Sequence, residues 1–118
     1  MENQCLKKKY FYQSKEYYCS LELAMALIGG KWKTMMIYHL RDGALRSSDL
    51  QRSLNGISNK MFTQTARELE RSHIIKRTIY PVIPPKVEYA LTELGLSVLP
   101  IVLDIATWGI KVSDNTIK

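Results

Sequence analysis

Residues 57–71, ISNKMFTQTARELER, combine two chemistries at helical spacing. At about 100° per residue, Met61, Phe62, Thr65, Ala66 and Leu69 gather on one face, and Lys60, Thr63, Gln64, Arg67 and Arg71 gather on the other. Glu68 and Glu70 fall to the flanks. A helix with an apolar back and a front of cations and hydrogen-bonding groups suits a major groove, because phosphates take Lys and Arg while base edges take Gln, Thr, Asn or Arg. An ordinary solvated helix face has the same general appearance, so the flanking sequence has to decide.

Upstream, Ser47, Ser48 and Asp49 offer N-cap chemistry for a short helix carrying Leu50 and Leu54. Asn55-Gly56 then supplies a turn, and Ser58 a second cap. Helix, tight turn and helix in that order put Ser58, Asn59, Lys60, Thr63 and Gln64 at the N-terminal end of the second helix, the part that enters the groove in a helix-turn-helix. Downstream, the period changes to alternation. Ile75, Arg77, Ile79 and then Val87, Tyr89, Leu91 predict two short strands separated by Pro81, Pro84 and Pro85. A hairpin directly after a reading helix is a wing, with Lys86 at its tip and Lys76 and Arg77 at its base; a plain edge hairpin with solubilising lysines is the alternative.

These elements need a scaffold. Leu21, Ala24, Leu27 and Ile28 predict a helix from Ser20 that ends at Gly29-Gly30 by glycine's C-cap preference. Trp32, Met35, Met36 and Leu40 predict another, reaching towards Gly43, which makes four helices before any strand. Residues 1–18 lack a sustained period and read as an arm with a turn of helix near Tyr17; its rings serve packing against a partner subunit or, less simply, stacking of single-stranded bases. Thr92 caps a last helix over 92–112, kinked or broken at Pro100, and residues 113–118 form a tail. Only Glu93, Ser97, Asp104 and Lys111, with Thr107, interrupt its apolar circumference. A small domain has too little core to cover such a helix on all sides, so self-association is expected, through Leu99, Val102, Ile105 and Trp108. The expected fold is mainly α with a small β-hairpin: one winged helix-turn-helix domain over 19–112 (helix-turn-helix about 47–72, wing about 75–91), with a C-terminal dimerisation helix.

The 118 residues carry a formal charge of +6. Residues 44–91 hold eight Lys and Arg against four Asp and Glu, so most of the excess sits on the reading segment. Such a balance favours a polyanionic partner. His39 and His73 are the two histidines, and no HxxxH, HExxH, CxxC, GxGxxG or Walker-type spacing occurs. No enzyme, metal site or cofactor is expected. Lys7-Lys8-Lys9 leads into tyrosines and polar residues rather than a signal-peptide core, and the apolar run 94–110 is broken by Ser97, Pro100, Asp104 and Thr107. A cytoplasmic protein without a membrane partner follows as the expectation. Two cysteines, Cys5 and Cys19, are too few for a disulfide framework and suit a reducing compartment. Cys19 stands just before the helix opened by Ser20, where the helix dipole stabilises a thiolate; a small buried hydrophobe is the plainer reading.

Taken together the sequence resembles the HxlR-type winged helix-turn-helix regulators of bacteria, within the MarR-like group. The resemblance rests on Cys19 followed by LELAMALIGGKWK, then RDGALRSSDLQRSLNGISNKMFTQTARELE, IPPKVEYALTELG, and finally Pro100 with Trp108-Gly109. It implies a homodimer on palindromic promoter DNA, one recognition helix and one wing per half-site, and adds an N-terminal dimerisation helix to the C-terminal one. Lys60, Thr63, Gln64 and Arg67 match the recognition face, Arg46 the position ahead of the motif and Lys86 the wing tip. The resemblance also implies a redox or electrophile response through Cys19, paired with another subunit's cysteine or a small thiol ahead of Cys5. A rival reading from another class is a winged-helix interaction module that offers the apolar last helix to a different protein.

Overall fold

The computed structural model describes residues 9–114. A short antiparallel hairpin, β1 (Tyr10–Tyr12) and β2 (Lys15–Tyr17), opens the described chain. Helices α1 (Ser20–Ile28) and α2 (Lys31–His39) follow, then a two-residue strand β3 (Leu45–Arg46) and the short helix α3 (Ser47–Ser53). Helix α4 (Asn59–Arg71), strands β4 (Ile75–Tyr80) and β5 (Lys86–Leu91), and the long helix α5 (Glu93–Lys111) complete it. Strand β5 is the centre of a three-stranded antiparallel sheet in the order β3-β5-β4, with Leu45 opposite Tyr89 and Ile75 opposite Leu91. Two helices joined by a tight turn, followed by a hairpin that shares its sheet with the strand before them, make a winged helix-turn-helix.

The core that sets these elements is one cluster. Met36, Ile37, Leu40, Leu50, Leu54, Leu69, Ile74 and Ile75 are essentially sealed from solvent, with Phe62, Ala66, Tyr89, Leu91 and Val102 around them. Each helix therefore has one face committed to the same interior. Ser58 Oγ accepts from the amide of Met61 at 3.1 Å and so starts α4 where the sequence expects it. Gly56, at φ +88°, makes the turn between α3 and α4 in a conformation that side chains rarely adopt.

Several expectations are corrected. The arm of residues 1–18 is a hairpin over its described part and not a turn of helix. Its two-residue connection, Gln13-Ser14, has positive φ at both positions (51° and 68°), the geometry that Asn-Gly usually announces. Strands therefore precede the helices, and β3 interrupts them. Helix α3 begins at Ser47, with Arg46 at its N-cap and no side-chain cap bond, so the serines do not cap it. At the end of α1, Gly29 is extended and Gly30 takes the positive φ of 97°. Met61 faces solvent rather than the core.

Helix α5 runs unbroken through Pro100. Val102, 4% exposed, is buried within the protomer and Leu99 packs on the same core, so of the four residues expected at a subunit interface only Ile105 and Trp108 leave much apolar surface uncovered (52% and 64% exposed). Counted as a helix, α5 is also long and apolar enough to cross a bilayer, so its interrupting residues do not remove it from that class as the run-length argument supposed.

The start of α5 is fixed by a small seam. Thr92 Oγ1 accepts from Gly95 N at 3.1 Å and donates to the His73 carbonyl at 2.5 Å, with the Ile74 carbonyl oxygen 3.1 Å away, and a Cβ on Gly95 would strike that Ile74 oxygen. Removing the hydroxyl with Thr92→Ala is expected to cost about 1–2 kcal/mol in urea unfolding, with Thr92→Ser retaining most of it.

Candidate nucleic-acid interface

Helix α4 is anchored by its back. Phe62, Thr65, Ala66 and Leu69 are buried, and the Phe62 ring meets the Tyr89 ring of β5 edge-on at 6.1 Å. The front follows from that anchoring. Asn59, Lys60, Thr63, Gln64, Arg67 and Arg71 line one open depression on the opposite side, the set that helical spacing gathers. Ser58 stands exposed at its N-terminal edge. Gln51 of α3 donates to Asn59 Oδ1, so the two helices of the motif are tied at the depression's rim.

The carboxylates that border this surface are engaged internally. Gln64 Nε2 donates to Glu68 Oε2 at 3.2 Å, and Lys33 Nζ lies 3.3 Å from Glu68 Oε1. The Gln64 amide first, and then Lys33, hold the Glu68 carboxyl below its ordinary 4.5. Arg77 lies 3.7 Å from Glu70 at the base of the wing. Among the described residues Lys60, Arg67 and Arg71 carry no ion pair, so their charge faces outward.

A second depression links the end of α4 to the wing, lined by Arg67, Arg71, His73, Lys76 and Arg77 among others. The wing itself differs in detail from its expected shape. Lys86 pairs with Tyr80 as the last rung of β4 and β5, is partly buried, and binds Glu88 at 3.1 Å while lying 4.9 Å over the Tyr80 ring. Lys86 therefore marks the neck, and residues 81–85 form the tip. Lys86, then the Tyr80 hydroxyl and Arg46, draw the Glu88 carboxyl below its ordinary value. Arg46 lies across the sheet from Glu88 and is exposed.

One contact had no signal in the sequence. Tyr12 Oη donates to the Ser72 carbonyl at 2.7 Å and Gln13 Nε2 to the Arg71 carbonyl at 2.7 Å, so the turn of the N-terminal hairpin seats on the C-terminal end of α4. Tyr17 is buried, whereas Phe11 and Tyr18 remain exposed. Cys19 occupies the N-cap of α1 and is disulfide-bonded, so its sulfur is not a thiolate in this structure. Cys5 lies outside the described residues. His39 packs edge-on to Tyr38, its pKa lowered by burial and then by Arg41, and no cluster of metal-binding groups occurs among the described residues.

A family model for HxlR-like helix-turn-helix proteins matches residues 27–116. An HTH-type transcriptional regulator of Methanothermobacter thermautotrophicus is 50% identical over 94 residues, covering 80% of this chain and 72% of the relative. The HTH-type transcriptional regulator YkvN of Bacillus subtilis is 45% identical over 95 residues, covering 80% of each. Among solved structures, the redox regulator HypR in its oxidized form superposes with a TM-score of 0.78 at 43% identity, covering 81% of this chain and 99% of that one. The reduced form of the transcriptional regulator YodB from B. subtilis gives 0.68 at 31% identity, covering 80% and 92%.

The Glu68 contacts carry a pH signature. A carboxyl whose folded pKa is depressed contributes stability that is present above its ordinary 4.5 and lost as the pH falls through the folded value. Urea unfolding should show Glu68→Gln less stable than the parent above the ordinary 4.5, with the gap closing as the pH falls below it.

Proposed function

Because the chain belongs to the HxlR-like helix-turn-helix family, a family of DNA-binding transcriptional regulators, we propose that it acts as a homodimer on palindromic promoter DNA, with one α4 in the major groove of each half-site. The observation that carries this reading is the front of α4, cationic and hydrogen-bonding with its carboxylates drawn aside, on a helix whose back is locked into the core. Ser58, Asn59, Lys60, Thr63, Gln64 and Arg67 face the bases and adjoining phosphates; Arg46, Arg77 and Lys86 take backbone phosphates. Arg77 and Lys86 exchange Glu70 and Glu88 for phosphate when they do so. Residues 19–112 act as one winged-helix unit in the cytoplasm, without metal, cofactor or membrane.

The exposed face of α5, including Ile105 and Trp108, supports pairing with a second copy. HypR has been solved in oxidized and reduced forms and YodB in reduced and diamide-treated forms, and here Cys19 holds a disulfide. A reducible bond at the start of α1 supports a thiol-redox response through this residue.

Affinity for the duplex upstream of its own coding sequence should fall steeply with salt, since every neutralised phosphate releases counterions. Arg67→Ala and Gln64→Ala should narrow the preference for that duplex over random DNA by about 1–3 kcal/mol, while Lys86→Ala weakens both alike. A flat salt response contradicts the proposal and favours the interaction-module reading. Light scattering should give twice the 13.6 kDa chain mass, reduced to one by Ile105→Glu with Trp108→Glu. In a gel-shift assay on that upstream duplex, which also reads the salt response, dithiol reduction and diamide re-oxidation should change DNA affinity in the parent and leave Cys19→Ser unmoved.

A further inference from the structure

The tip of the wing is apolar where the sequence reading expected a cation. Between the closing rung at Tyr80 and Lys86 stand Pro81, Val82, Ile83, Pro84 and Pro85, all exposed; Ile83 is 100% exposed and Val82 52%. Ile79 and Tyr80 below them are exposed as well. Three prolines limit the backbone freedom of this loop, and Val82 N closes on the Tyr80 carbonyl at 2.8 Å. The fully exposed side chain thus stands on a stiff base. Residues 79–86 contain no carboxylate, and the nearest along β5, Glu88, is engaged by Lys86 and the Tyr80 hydroxyl.

The base of the wing is largely basic. The depression that joins it to the end of α4 is lined by Arg67, Arg71, Lys76 and Arg77, with Glu70 paired to Arg77 among them. An aliphatic point that projects beyond this largely cationic track matches a polyanion with an apolar interior. Duplex DNA has that composition, with phosphates outside and stacked bases within. The minor groove, about 6 Å wide, admits a single aliphatic side chain more readily than a whole hairpin.

We propose that Ile83, buttressed by Val82 and the tip prolines, is a minor-groove wedge that partly unstacks one base step beside each half-site and bends the duplex. This rests on the reading of α4 as the major-groove helix and deepens it. The cations of the track hold the backbone while the side chain enters the stack, and the added contact along the bent duplex offsets the unstacking cost. Because pyrimidine–purine steps unstack most easily, the preferred operators carry such a step at a position that no hydrogen-bonding side chain reads.

The test uses the full-length protein and a duplex from upstream of its own coding sequence. End-to-end energy transfer reports bending, and 2-aminopurine placed at successive steps beside the site reports unstacking. The parent should bend the duplex by an angle in the range of about 20–90° and brighten the probe at one step per half-site. Ile83→Ala should lose the brightening and most of the bend, with several-fold weaker binding, whereas Ile83→Leu keeps all three. Since Ile83 is fully exposed, Ile83→Ala should unfold at the parent's urea midpoint, which separates a lost wedge from a lost fold. Equal bending and brightening by the parent and Ile83→Ala, or tight binding by the parent to a straight, fully stacked duplex, would overturn the wedge and leave the α4 reading standing. Absence of salt-dependent binding by the parent to this duplex would overturn the α4 reading and the wedge with it.

Discussion

The front of α4 and the wing beside it depend on the burial of one helix face. Phe62, Ala66 and Leu69 are withdrawn from water against the interior, and burying a large apolar side chain contributes about 1.5–3 kcal/mol. Rotating α4 about its axis would surrender Phe62 and Leu69 together, so the direction of Lys60, Thr63, Gln64 and Arg67 is set by packing behind them. The Phe62–Tyr89 ring contact extends the same constraint to β5, and through its pairing with β4 to the wing. Helix front and wing are thereby held in one geometric relation, without any direct hydrogen bond between their outward-facing side chains being needed.

Electrostatics completes what packing begins. A basic surface can lose its force when carboxylates lie among the cations, and this one contains Glu68, Glu70 and Glu88. Each has an internal cation: Lys33, Arg77 and Lys86 respectively. Lys33 belongs to α2, and Glu68 is shared between it and the Gln64 amide of the α4 front. The pairs of Arg77 and Lys86 are different in kind. They are partly exposed and exchangeable, since exposed ion pairs contribute little and a phosphate offers the same charge with more oxygens. Lys60, Arg67 and Arg71 on the α4 front are thus outside any ion pair among the described residues, whereas Arg77 and Lys86 of the wing are each matched by a glutamate.

The legible parts of the sequence were those governed by local rules. Helical period and a serine cap located α4, and Thr92 did the same for α5, because the bonds that start a helix span three residues. Strand alternation with prolines located the wing. Illegible features came from tertiary choice. Three-residue strands joined by Gln13-Ser14 lack the length and the turn chemistry that signal a hairpin. On α5, apolar residues at nearly every position cannot say which ones face inward; packing on α2 and β5 took Val102 and left Ile105 and Trp108 outside. Glu70 and Glu88 as partners of Arg77 and Lys86 likewise depend on where the strands bring them.

The two hydrogen bonds from the N-terminal hairpin onto the last carbonyls of α4 tie together residues about 60 positions apart. The hairpin, residues 10–17, precedes the span 27–116 that the family model matches, yet it grips the end of the helix at the centre of that span. The end of α4 is therefore held from two sides, by the core behind it and by a segment that precedes the matched span. Substitutions in Tyr12 or Gln13 tune how firmly that helix end is held while altering neither a residue of its front nor one of the exposed α5 face.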